Sequence, residues 1–198
     1  MTDLTLSRRR VLALGGAGAL ATLPMPGCAL TSGQAEGLVN SAVADINAII
    51  QSGASVNSMV RSFKGIFDRY ADTSYLAAYA LGNDGRSASN AQKSAFGDAF
   101  GNYLANKYGR RFNEFAGGRI EVQGSRSINN YIEVRSQAIL RGQSPFQVDF
   151  HVTDRPGRPV FFNLIIEGIN MLLSERAEIG AMLDARGGNL DALIRDLG

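Results

Sequence analysis

From Pro159 to Leu183 the chain reads Pro-Val-Phe-Phe-Asn-Leu-Ile-Ile-Glu-Gly-Ile-Asn-Met-Leu-Leu-Ser-Glu-Arg-Ala-Glu-Ile-Gly-Ala-Met-Leu, and no other stretch narrows the choice of fold so much. Val160 to Ile166 is β-branched and aromatic on both sides of the pleat, which predicts a central strand rather than one with a single buried face. The run breaks at Glu167-Gly168. It resumes with Ile169, Leu172, Leu173, Ala177, Ile179, Met182 and Leu183 at helical spacing. A strand thus feeds directly into a helix, and the rest of the chain has to supply its cover.

Most of that cover lies upstream. Leu38, Val39, Ala42, Ile46, Ile49 and Ile50 recur with helical period from Ala35 to about Ser52. Ser55 is placed to cap a second helix carrying Met59, Val60, Phe63, Ile66, Phe67 and Tyr70, and a short third helix starts near Thr73. Ser89-Asn-Ala-Gln92 has the form of a capping box. The helix it opens carries an aromatic stripe of Phe96, Phe100, Tyr103, Tyr108, Phe112 and Phe115. After Gly117-Gly118 the period changes to two: residues 119–123, 130–140 and 145–152 alternate, with Phe146, Val148, Phe150 and Val152 inward and Gln147, Asp149 and His151 outward towards solvent. A last helix is predicted over Leu190–Leu197. Four helices, about four strands and two helices make an α+β domain, with a curved antiparallel sheet covered by helices on its concave side.

Chemistry is sparse. His151 is the one histidine, so no site with two histidine ligands exists. No phosphate loop, nucleophile elbow or metal-spaced cluster occurs, and neither metal nor cofactor is expected. Glu167, directly after the apolar strand, has two readings: a brace for the first turn of the following helix, or a catalytic carboxylate raised by burial. Residues 1–28 hold Arg8, Arg9, Arg10 and Asp3 of the 20 basic and 18 acidic side chains, leaving the remainder balanced at 17 each. A neutral body gives no footing for nucleic acid.

Those first 28 residues read as an export signal: a basic head, then a glycine-weakened apolar run from Leu12 to Met25 that is too short for a stable span. The paired arginines before Val11-Leu12 resemble a twin-arginine signal. Met25-Pro-Gly-Cys28 resembles a lipobox, and the sequence leaves two fates open, lipidation at Cys28 or ordinary cleavage shortly after it. The domains are therefore a signal over 1–28, a flexible lead over 29–35 and one folded domain over 36–198.

Ile166-Glu-Gly-Ile-Asn-Met171, Glu178-Ile179 and Gly187-Gly-Asn-Leu-Asp-Ala-Leu-Ile-Arg-Asp-Leu197 resemble the C-terminal signature of the MlaC / toluene-tolerance phospholipid-binding family. Phe67-Asp68, Tyr79-Ala-Leu-Gly82, Ala88-Ser-Asn-Ala-Gln92, Phe96, Phe100 and Tyr103-Leu104 resemble its helical half, and Val148-Asp-Phe150 its sheet. The resemblance implies a cystatin-like, nuclear-transport-factor-like cone with an apolar cavity. It also implies a non-enzymatic periplasmic carrier that shuttles phospholipid between the inner and outer membranes and so maintains outer-membrane lipid asymmetry. An MCE-domain ABC transporter at the inner membrane and a lipoprotein complex at the outer one are the implied partners. A small cone-fold isomerase or hydratase acting on an apolar substrate is the alternative.

Each acyl chain of ~14 CH₂ groups costs ~11 kcal/mol to expose to water, so a diacyl lipid needs ~20 kcal/mol of shelter. On this reading Val148, Phe150, Val152, Phe162, Leu164 and Ile166 line the cavity from the sheet, taken as matching alternate positions on adjacent strands. Phe63, Phe67, Tyr79, Phe96, Phe100 and Tyr103 line it from the helices, and Ile169, Met171 and Leu172 from the corner after the central strand. A packed core uses the same residue types, and the sequence alone does not separate filled from hollow.

Overall fold

A computed structural model describes residues 30–111 and 117–198; the expected export signal with Cys28, and Phe112 and Phe115, lie outside them. The elements run α1 (Ser32–Gln51), α2 (Val56–Tyr70), α3 (Thr73–Leu81), a single 3-10 turn (Gly82–Arg86) and α4 (Asn90–Gly109). Then come β1 (Arg119–Ile128), β2 (Tyr131–Ile139), β3 (Phe146–Thr153), β4 (Val160–Ile166), β5 (Ile169–Asn170), α5 (Met171–Asp184) and α6 (Leu190–Leu197). The five strands form one open antiparallel sheet in sequence order. The α+β class and the order of helices and strands agree with the sequence.

Helix starts follow their caps. Ser55 and Ser89 accept from the backbone of Ser58 and Gln92, and Gln92 answers with a bond to the Ser89 amide. The same device explains a difference: α1 begins at Ser32, inside the stretch expected to be a flexible lead over 29–35. Thr31 and Gln34 form a second capping box there, and it outweighs the small, polar composition.

The inner face of the sheet is read from its register. Ile132, Val134, Ser136 and Ala138 of β2 stand opposite Val152, Phe150, Val148 and Phe146 of β3. Val148 and Phe150 in turn pair with Ile166 and Leu164 of β4. Ser136 apart, these residues form one apolar core with α1 (Val39, Val43), α2 (Phe67), α3 (Leu76, Ala77, Ala80), α4 (Phe96, Phe100, Leu104), α5 (Leu172, Ile179) and α6 (Leu193). A smaller cluster of Ile46, Ile50, Met59 and Ile66 joins α1 to α2.

β1 and the outer side of β4 each carry partners. At β1 the Asn47 amide of α1 donates to the Ile120 carbonyl (3.0 Å) and accepts from its N–H (2.9 Å), replacing a missing strand. On the other side the Asp72 N–H donates to the Phe161 carbonyl (2.9 Å), and β5 pairs with Ile165 and Ile166.

Two local features differ from expectation. A bulge between the His151 and Val152 pairings sets His151 opposite Asn163 but Val152 opposite Phe161, so Phe162 is the extra residue. Phe161 therefore takes the inner place, edge-on to Phe67 and Phe150, and Phe162 leaves the row expected for it. The strand-to-helix corner is a two-residue hairpin turn, with Glu167 at φ 50° and Gly168 at φ 79°. Positive φ at both central residues is the geometry that turns a strand back on its neighbour. Ile169 is thus in β5, not in the helix, and α5 starts at Met171 under the cap of Asn170.

Candidate functional site

Among the described residues, the expected lining splits by depth. Phe67, Phe96, Phe100, Val148, Phe150, Val152 and Leu172 are buried in the main core, with Phe96 and Phe100 stacked at 5.6 Å. Phe63, Tyr79, Tyr103, Leu164 and Ile166 are partly buried against the same core and form its rim. Three expected residues stand apart. Ile169 is 59% exposed on the hairpin, because the turn at Glu167-Gly168 reverses the chain before the helix begins. Met171 is half-buried at the start of α5. Phe162 meets Tyr75, Tyr131 and His151 at 5.6–5.9 Å between ring centres, displaced by the bulge.

Glu167 takes neither role expected of it. It is exposed at the tip of the turn, its N–H donating to the Gln147 carbonyl (3.1 Å), and Asn170 supplies the helix cap instead. Exposed in this way, Glu167 lacks the burial that the catalytic reading requires. The one signal in the sequence is Gly168 between two apolar runs, which fits a turn as well as a helix entry.

The outer face of the sheet was expected to be solvated at His151, and it is not. Arg126, Glu133, His151 and Asn163 stand in register across four strands. Glu133 is buried; it accepts from Arg126 Nε (2.6 Å) and faces His151 Nε2 at 3.6 Å. Tyr131 covers the imidazole, with ring centres 4.5 Å apart. Burial pushes the His151 pKa below its ordinary value, against the opposing pull of Glu133 and Asp149. The folded chain therefore favours the neutral ring, while the unfolded chain takes up a proton at about pH 6.5. The contribution is complete above that pH and declines as pH falls towards the folded pKa. Urea unfolding measured across pH 5–7 is expected to show stability falling on acidification, and His151→Gln to flatten that slope. A variant with an unchanged slope would assign the dependence to other groups.

A second polar cluster joins α4 to α5. Lys107 Nζ lies 2.8 Å from Glu175 Oε1 and 2.5 Å from Glu178 Oε2, Tyr103 donates to Glu178 (2.6 Å) and Tyr108 to Glu175. Burial opposes the charge on Lys107, but the two carboxylates outweigh it and hold its pKa above the ordinary value. Lys107, then Tyr103, hold Glu178 below its own. Burial, reinforced by the neighbouring carboxylates, raises both tyrosines. The sequence offered no sign of this cluster, since its members lie about 70 residues apart.

On the outer side of the helical layer a groove of about 670 Å³ runs between α2, α3 and α4. Ala77 and Phe96 line it together with the charged residues Lys64, Asp68, Arg86, Lys93 and Asp98. No group of acidic, histidine or cysteine side chains able to hold a metal occurs among the described residues, and no helix among them is long and apolar enough to cross a membrane.

The profile of the MlaC protein family matches residues 39–198. In structure the chain is similar to a phospholipid-binding protein from Ralstonia solanacearum, determined in complex with a phospholipid. The TM-score is 0.71 at 20% identity, over 83% of this chain and 94% of that one.

Proposed function

The chain belongs to the MlaC family, and from that premise we propose that it is a non-enzymatic carrier holding phospholipid tails between its sheet and its helices. One observation carries the reading. Ser136 apart, the inner face of β2, β3 and β4 is an apolar wall, and it shares one buried core with the aromatic residues of α2 and α4. Such a wall supplies the shelter of ~20 kcal/mol that two tails need. Phe100 and Phe150 lie in the buried core behind it, and the rim residues Leu164, Ile166, Phe63 and Tyr103 are those a tail meets first. The wall proposed here keeps Phe67, Tyr79, Phe96, Val148, Val152, Met171 and Leu172, puts Phe161 in the place of Phe162, and leaves Ile169 outside.

The biological setting follows the family: export by the N-terminal signal, a periplasmic location, and exchange of lipid with an MCE-domain ABC transporter at the inner membrane and a lipoprotein complex at the outer one. Either fate of Cys28 is compatible with that setting.

Native mass spectrometry with lipid extraction, on protein purified gently from cells, tests the reading. A co-purifying diacyl phospholipid is the expected result, and a polar metabolite in its place would overturn it. Leu164→Trp sharpens the test. In a solid core the added bulk costs about 1–3 kcal/mol. At the half-buried rim it is expected to lower bound phosphorus while leaving the stability of delipidated protein nearly unchanged. Normal phosphorus with strong destabilisation would remove Leu164 from the wall.

A further inference from the structure

We propose that the groove between α2, α3 and α4 is a docking surface for a helix of another protein, one with acidic residues in its first turn and a basic residue further along. The proposal goes beyond the carrier reading and does not depend on it.

The walls decide the kind of occupant. Each is a helix whose interior backbone groups are bonded within it, so the groove offers an extended peptide no ladder of main-chain partners. What it offers is surface relief. Ser74, Ala78 and Leu81 form one row on α3, and Ser94, Gly97 and Gly101 one row on α4, at spacings of three and four. Between such rows the ridge of a further helix can settle at the axis separation of about 8–10 Å usual for packed helices. The chain itself leaves the space open: a Cβ on Gly97 would find only the Ala77 methyl, at 4.0 Å, and one on Gly101 only the end of Lys64, at 3.7 Å. A volume of about 670 Å³ beside a nine-residue wall, about 13 Å of helix, suits roughly two turns of a partner.

The charges decide its chemistry. Lys64 is already paired with Asp68 at 2.7 Å. The side chains of Arg86, Lys93 and Asp98 are exposed and make no hydrogen bond or ion pair among the described residues. Arg86 and Lys93 flank the passage from the 3-10 turn into α4, and Asp98 lies about 7.5 Å further along that helix. An incoming helix matches this order with acidic residues first and a lysine or arginine later. Its own macrodipole favours the same order.

Two other occupants match the groove less well. A small polar ligand needs a fixed partner, and the buried side-chain atoms left without one among the described residues, Ser136 Oγ and Glu175 Oε2, belong to residues outside the lining. A bilayer surface is broad, cannot follow a concavity between three helices and gains little from walls of mixed sign.

The test selects a library of displayed helical peptides, randomised among charged and small residues, against the full chain. Peptides with aspartate or glutamate in the first turn, small residues on the buried face and a basic residue beyond them are the expected winners. Arg86→Glu with Lys93→Glu, both exposed positions, is expected to leave the thermal midpoint unchanged and to weaken the best peptide about tenfold, the equivalent of two surface charge contacts. The same peptide with its acidic residues changed to lysine is expected to bind that variant as the original binds the unaltered chain. Gly97→Leu fills the groove and is expected to abolish binding with the fold intact. Winners with no charge order, or binding that survives both variants, would overturn the proposal and leave the carrier reading intact. Selection of no peptide, with phosphatidylglycerol vesicles retained by the unaltered chain and lost by the variants, would overturn it in favour of a lipid surface.

Discussion

Phe100→Ala is expected to destabilise the empty protein by about 3–5 kcal/mol and the lipid-loaded protein by much less. Phe100 is buried to 2% exposure, stacked between Phe96 and Tyr103, and it belongs to the same core as Phe150. Truncation removes its transfer free energy and leaves a hole that close-packed neighbours fill only in part. If tails occupy the space beside it, a flexible acyl chain takes up the vacated volume, and bound lipid adds its own stabilisation by mass action. Chemical unfolding of delipidated and loaded protein, side by side, measures both effects. Equal losses in the two forms would place the tails away from Phe100.

Lys107→Met is expected to lower stability by about 2–3 kcal/mol. Breaking a buried ion pair from one side costs about 3–5 kcal/mol because a charge is left uncompensated. Here the lysine side chain is 30% exposed and the Glu175 side chain only 6%, so water screens part of the loss. The decisive comparison is the double variant Lys107→Met with Glu175→Met. It removes the stranded carboxylate along with its partner and is expected to recover most of the stability, less a hydrogen bond from Tyr108. A double variant as unstable as the sum of its singles would mean that the pair does not act as a unit. Because Glu178 titrates below its ordinary value, its share of the cluster's stability is present above the usual carboxylate range and is lost as pH falls through the folded pKa.

What was legible in the sequence follows from the range over which its signals act. Caps are local, and the box at Ser89–Gln92 and the cap at Ser55 were both visible as short patterns. Alternation in β3 was equally clear: Val148, Phe150 and Val152 all face the core. The bulge in β4 was not visible. Val160 to Ile166 is apolar at nearly every position, so period two leaves no trace of a slipped register, and choosing Phe162 over Phe161 had no pattern to rest on. The hairpin at Glu167 was hidden by a residue type that seldom takes positive φ. His151 was misplaced for a further reason. Alternation tells which face a side chain takes and says nothing of what lies over that face, and Tyr131 and Phe162 cover the imidazole from neighbouring strands.

The treatment of the sheet margins bears on how such a protein survives without its cargo. A strand with free N–H and C=O groups along one side is a template on which another copy can grow, the more so when apolar surface lies next to it. Asn47 occupies that position at Ile120, and Asp72 with the short β5 occupies it along β4. Strand addition is thereby opposed at Ile120 on one side and at Phe161, Ile165 and Ile166 on the other, by groups that do not depend on a bound ligand.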